Sequence, residues 1–165
     1  MAAPITIRPA VSADRSVVAD LAVDNEMFAP DELDDFLAAF DGALAGENEG
    51  HQWFVAVDDA RPLAAAYVAP EPFADRVWNL HFLAVDPAQH GTGLGTRLIA
   101  HVEQLLRAMG EEVARVLIIE TSSTDQYAPT RTFYAARGFD EEARIRDYYG
   151  PGDGKVVFWK SLLEH

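Results

Sequence analysis

The chain has 165 residues, 49% of them apolar, no cysteine and a formal net charge of −14. That length suits one domain with a sizeable core, and the apolar share excludes a disordered chain. The acidity excludes nucleic acid as a partner, because phosphate backbones demand clustered Lys and Arg, and the lack of Cys removes disulfides, thiolate nucleophiles and Cys-bound zinc. No apolar run reaches the roughly 18 residues of a membrane span. The start, Met1-Ala2-Ala3-Pro4-Ile5-Thr6-Ile7, lacks the basic and apolar regions of a secretory signal, so a cytoplasmic protein is expected.

Ile5-Thr6-Ile7-Arg8 alternates as a strand does. A helical stretch from Ser12 carries Val17, Val18, Leu21 and Ala22. A second helix is expected to start near Pro30-Asp31-Glu32, with Leu33, Phe36, Leu37 and Phe40 at helical spacing. Gly42, Gly46 and Gly50 then read as an acidic loop. Trp53–Val57 and Leu63–Val68 form a hairpin about the turn Asp58–Pro62, and Pro70 and Pro72 interrupt. Val77–Val85 is the longest strand.

Next comes Asp86-Pro87-Ala88-Gln89-His90-Gly91-Thr92-Gly93-Leu94-Gly95-Thr96-Arg97, and a helix with Leu94, Leu98, Val102, Leu105 and Met109 on one stripe, stopped by Gly110. Val113–Ile119 is a buried strand ending at Glu120. The loop Thr121–Asp125 leads to a short helix opened by Pro129 and closed by Arg137-Gly138. Strands Phe139–Arg146 and Lys155–Lys160 flank the turn Gly150–Gly154. Leu163-Glu164-His165 reads as an expression-tag stub, which leaves 1–162 as one domain.

Three alternate glycines between a strand and a helix let bare main chain approach a ligand. The helix start behind them offers unpaired N–H groups and partial positive charge, so the junction is an anion cradle suited to phosphate. Arg97, His90 and Arg131 could add donors that overcome the acidic field. It is neither a dinucleotide fingerprint nor a P-loop. The third-glycine positions hold Thr96 and Leu98, and Gly95 is followed by Thr96-Arg97 rather than by Lys-Ser or Lys-Thr. Meandering strands before the loop also exclude the doubly wound order.

Val85-Asp86-Pro87 with His90-Gly91-Thr92-Gly93-Leu94-Gly95 resembles motif A of the GNAT acetyltransferase superfamily, which cradles the diphosphate of acetyl-CoA. His90 stands where Arg or Gln is usual. Thr132-Phe133-Tyr134-Ala135-Ala136-Arg137-Gly138-Phe139 resembles motif B, although Tyr127 replaces the Asn with which that motif usually opens. The resemblance implies an α/β (α+β) fold with about four helices. Its central sheet is mixed and mostly antiparallel, about seven strands splayed between the fourth and fifth.

It also implies an acetyl-CoA-dependent N-acetyltransferase acting by direct amine attack in a ternary complex. The pantetheine arm would pair with the backbone of Leu83, Ala84 and Val85, and the diphosphate would sit on the amides of His90, Gly91, Thr92, Gly93, Leu94, Gly95 and Thr96. Tyr134 matches the family's general acid, and a phenol, with a pKa of about 10 against about 8.5 for a thiol, keeps its proton at neutral pH. Asn79 stands where some family members carry a catalytic Glu on the strand before the loop, and an amide is no base. Glu120 matches in placement the Glu of the ribosomal-protein alanine acetyltransferases; His81 or water are the other candidates for the base.

Arg144 or Arg146 could read a carboxylate on the acceptor. His51 and His101 have no ligand spacing, so no metal is expected. The expected partner is a small-molecule or peptide amine, and a homodimer is ordinary for the family. A catalytically silent acyl-CoA-binding module, or an interaction protein whose glycines only pack, are the alternatives.

Overall fold

A computed structural model describes residues 4–59 and 61–163. Among these, seven strands form one mixed sheet in the order β1-β2-β3-β4-β5-β7-β6, with four α-helices. The chain divides into two compact units. One is built on residues up to Ala69 and on Phe82–Val102, the other on Pro70–His81 and the chain from Glu103 onward. Ala60 in the expected turn, Met1–Ala3, and Glu164 and His165 of the presumed tag stub lie outside the described residues.

In the first unit β1 (Thr6–Pro9), β2 (Gln52–Val57) and β3 (Pro62–Pro70) pair antiparallel. Helices α1 (Arg15–Asp24) and α2 (Asp34–Leu44) supply Val18, Leu21, Ala22 and Phe40 to a core with Trp53, Val55, Ala65, Phe82 and Ala84. Trp53 stacks on its cross-strand partner Tyr67 at 4.6 Å and meets Phe40 edge-on at 5.1 Å. Phe40 is fully buried, so its truncation to Ala costs about 3–5 kcal/mol.

Two expectations need correction here. The second helix begins at Asp34, not near Pro30, and it runs through Gly42. The apolar spacing of Phe36, Phe40 and Leu44 carries the helix across that residue, so tertiary packing overrides glycine's poor propensity.

In the second unit β4 (Val77–Val85) enters beside β5 (Val116–Ser122). These two strands pair in parallel only at Val77↔Val116, Trp78↔Leu117 and Asn79↔Ile118. Beyond that rung β4 continues from Leu80 to Val85 and β5 from Ile119 to Ser122. The β5 strand starts later than Val113, because Val113 lies in a turn whose carbonyl accepts from the Trp78 indole at 3.0 Å. It also runs past Glu120, which is therefore a mid-strand residue rather than a terminal one.

Helix α3 (Leu94–Met109) buries Leu98, Ile99, Val102 and Leu106. The buried stripe thus runs through Leu106 and leaves the expected Leu105 and Met109 half-buried. Helix α4 (Ala128–Ala136) is followed by β6 (Asp140–Gly150) and β7 (Asp153–Ser161). β7 pairs antiparallel with β5 on one side and β6 on the other, which leaves β6 at the sheet edge. Its charged face and its register shifts, with Asp147 at φ 56°, suit an edge that must not recruit another strand. Among the described residues no helix is long and apolar enough to cross a membrane.

Candidate active site

In the first unit the end of β4 turns sharply into α3. Asp86 caps the turn Pro87–Gln89 by accepting the Ala88 N–H at 2.9 Å, and Arg61 Nη2 holds its other oxygen at 2.5 Å. His90, Gly91, Thr92 and Gly93 are exposed. Gly91 (φ +82°) and Gly93 (φ +88°) occupy the left-handed region that side chains resist.

The first intrahelical bond of α3 runs from the Arg97 N–H to the Gly93 carbonyl at 3.0 Å. The amides of Leu94 and Gly95 therefore have no acceptor inside the helix. Nor do those of Gly91 and Gly93 donate to another main-chain group among the described residues. The first turn of α3 carries no acid, unlike that of α2 with Asp34 and Asp35. Open donors, the positive end of the helix and a first turn without acids are the chemistry that suits an anion.

The side-chain donors expected beside it are engaged elsewhere. Arg97 Nη2 donates to the Ile5 carbonyl at 3.0 Å, and Arg131 Nη1 donates to the carbonyls of Ser122 and Thr124 at 2.8 Å each. His90 Nε2 lies 3.0 Å from the Val85 carbonyl and 3.2 Å from Asn25 Oδ1. Both partners are acceptors, so that ring nitrogen carries the proton.

Asn25 also donates from Nδ2 to the Val85 carbonyl at 3.0 Å and to the Leu21 carbonyl at 2.8 Å. Asn25 thus ties the end of α1 to the end of β4, beside Leu83 (half-buried) and Ala84 (buried). No pattern in the sequence marks Asn25, because its partner lies 60 residues away.

In the second unit Tyr134 on α4 is buried against Phe158 (5.6 Å) and Phe139 (6.2 Å). Burial, reinforced by Tyr127, raises its pKa well above that of a free phenol, so it holds its proton throughout the physiological range. Its carbonyl accepts the N–H groups of Arg137 and Phe139, and Gly138 at φ +94° closes the helix. Tyr127 stands at the N-cap of α4.

Glu120 on β5 makes an ion pair from Oε2 to Lys155 Nζ at 3.0 Å, a partner nothing in the sequence marks. Lys155 is buried and its ammonium sits 3.9 Å above the Tyr148 ring. Burial alone would lower the Lys155 pKa, but its bonds to Glu120 and Tyr148 outweigh that and raise it. Burial and then the charge of Glu120 push the Tyr149 phenol up.

Arg144 is paired with Glu141 at 2.9 Å, which occupies one of the two arginines expected to read an acceptor carboxylate. Asn79 is buried and donates to Glu71 Oε1 at 2.6 Å; His81 is exposed on the same strand. Among the described residues no group of His, Asp and Glu is placed to hold a metal ion.

The sequence model of the Acetyltransferase (GNAT) family matches residues 16–139. The chain belongs to the GNAT acetyltransferase family. Its fold is that of a GNAT-family protein from Desulfovibrio desulfuricans, with TM-score 0.88 and 29% identity, covering 97% of this chain and 100% of that one.

The ribosomal-protein-S18-alanine N-acetyltransferase of Escherichia coli shares the fold at TM-score 0.77 and 19% identity, with 98% and 96% of the two chains covered. So does yncA of Salmonella typhimurium, solved with acetyl-CoA, at TM-score 0.74 and 20% identity, with 98% and 95% covered. A search of curated proteins finds no match. The parallel β4–β5 pair in a mixed sheet that also holds the antiparallel pairs β1–β2, β2–β3, β5–β7 and β6–β7 is the GNAT arrangement expected from the motifs.

Proposed function

We propose that this chain transfers the acetyl group of acetyl-CoA to a primary amine of a small molecule or peptide. The observation that carries this reading is the pair of left-handed glycines, Gly91 and Gly93, ahead of the α3 amides. A diphosphate on the N–H groups of Gly91, Gly93, Leu94 and Gly95 would satisfy donors that the fold leaves open, whereas those of His90 and Thr92 already donate to the Pro87 and Gln89 carbonyls. The main chain of Leu83, Ala84 and Val85 would align the pantetheine arm and polarise the thioester carbonyl. The Val85 carbonyl is already bonded by Asn25 and faces His90, so pairing there would use the remaining groups of the strand.

The amine nitrogen attacks the thioester carbon, the new C–N bond forms, and the C–S bond breaks with its electron pair leaving on sulfur. Glu120 takes the amine proton through water, held by Lys155 in a fixed orientation. Tyr134 gives its proton, or a strong hydrogen bond, to the departing thiolate. Its raised pKa keeps it in the donating form, and a proton leaves it only as charge develops on sulfur.

The family membership and the likeness to a fold solved with acetyl-CoA support the reading. Calorimetric titration with CoA tests the first step: saturable heat is expected, and no heat would overturn it. Thiol release from acetyl-CoA across a panel of amines tests the second. Amine-dependent release is expected, whereas CoA binding without release would favour a silent acyl-CoA-binding module.

A further inference from the structure

We propose that Glu71 is the carboxylate that receives the acceptor's ammonium group, and that Asn79 is the residue that positions it. The assignment rests on the transferase reading above and adds to it a binding residue for the acceptor. It starts from a buried amide. Asn79 occupies the last rung of the β4–β5 ladder, opposite Ile118, and is 1% exposed. Its Nδ2 donates to Glu71 Oε1 at 2.6 Å, while its buried Oδ1 has no partner among the described residues. Burying an amide with one end unsatisfied costs free energy. An apolar side chain at this buried position would avoid the cost. The one bond gained in exchange fixes the Glu71 carboxylate.

Glu71 lies in the connection between β3 and β4, half-buried and therefore open on one side. Its own N–H donates to the Val77 carbonyl at 2.8 Å, so the main chain beneath the side chain is also held. Charge then separates it from the acids of this unit that are held by a cation, and the bond from a buried amide separates it from the exposed acids that have none. In this unit Glu120 has Lys155, Glu103 has Lys160, Asp75 has Arg76 and Arg115, and Glu141 has Arg144. Glu71 has only the neutral amide of Asn79 among the described residues.

An oriented carboxylate with an open oxygen and no internal cation is the complement of a protonated amine. The net charge of −14 favours approach of such a cation. The ligand class is a primary alkylammonium without a carboxylate next to the amine, since a second negative group there would face Glu71.

The test uses the full chain, labelled with 15N and titrated with n-propylammonium chloride, against sodium chloride at equal ionic strength. The readouts are the Asn79 side-chain amide and the Glu71 main-chain amide. Both are expected to shift saturably in the wild type. In Glu71→Gln the binding should weaken about tenfold, the loss of one charge-assisted hydrogen bond. In Asn79→Leu the Glu71 amide should report a similar, about tenfold weakening while the thermal midpoint holds or rises. A purely structural Asn79 would instead lower the midpoint and leave the affinity alone.

Resonances that do not move, or equal affinity in Glu71→Gln, overturn the proposal. CoA affinity is expected to be unchanged in both variants. Failure of the wild type itself to bind CoA would end the transferase reading and leave the ammonium titration to decide on Glu71 by itself.

Discussion

Lys155 Nζ stands 3.0 Å from Glu120 Oε2, with side-chain exposures of 11% and 28%. The register explains the meeting: Glu120 lies opposite Val157 and Ser122 opposite Lys155, so the pair reaches diagonally across β5 and β7. A base proposed from its strand position is therefore a base with a fixed cationic partner. Removing that partner has consequences for stability and for turnover.

Lys155→Met leaves the Glu120 carboxylate without its cation in a partly shielded site. The expected cost at pH 7 is about 1–3 kcal/mol. Lys155 has a folded-state pKa above the ordinary 10.5, so its contribution is complete below that value and fades as pH rises through the folded-state value. Denaturant melts of wild type and variant at pH 7 and in the alkaline range check this. A difference that stays constant into strong alkali contradicts it.

Asp14 is buried and accepts from Arg8 at 2.8 and 3.0 Å and from the Val11 N–H at 2.8 Å. Burial, the largest single influence, would raise its pKa, but Arg8 and Val11 together bring it below 3.8. Its stabilisation is therefore present above the unfolded-state value and lost as pH falls through the folded-state one. Asp14→Asn should cost about 2–3 kcal/mol at pH 7, and the gap should close in acid. Urea melts at neutral and acid pH measure it; an equal gap at both would refute the linkage.

Tyr134→Phe removes a hydroxyl from a residue already packed among Phe133, Phe139 and Phe158. The ring stays, so the thermal midpoint should barely change and CoA should bind as before. Turnover should fall about 10²–10⁴-fold, the usual contribution of a general acid. Thiol-release kinetics with calorimetry check both halves, and undiminished turnover would remove Tyr134 from the mechanism.

The legible parts of this chain were those whose cause is local. Gly91 and Gly93 announce left-handed backbone because few other residues tolerate it, and the α3 stripe follows from the repeat of Leu94, Leu98 and Val102. Two motifs in order then brought the family and the splayed sheet. What stayed hidden depends on distant partners. Asn25 reaches Val85, Arg97 reaches Ile5, and Lys155 meets Glu120, and no spacing encodes those contacts. Gly42 inside α2 and the late start of β5 at Val116 are cases where packing and the Trp78 indole override local propensity.

Gly93→Ala tests the junction through strain alone. An added methyl would meet nothing within 4 Å, so the penalty comes from φ +88° and not from a clash. About 1–2 kcal/mol of stability should be lost, or the turn should relax and move the amides. In the first case CoA affinity should hold and in the second it should fall, so calorimetry beside a thermal melt separates the two costs. Unchanged stability and affinity would show that this glycine's conformation is dispensable.

The most direct test of the main-chain diphosphate grip compares pantetheine 4′-diphosphate with pantetheine, which keeps the thiol arm and lacks the diphosphate. Calorimetry on the wild-type chain should show saturable binding of the diphosphate and pantetheine binding weaker by about a hundredfold or more, the equivalent of two charge-assisted hydrogen bonds. Equal affinities for the two ligands would contradict it.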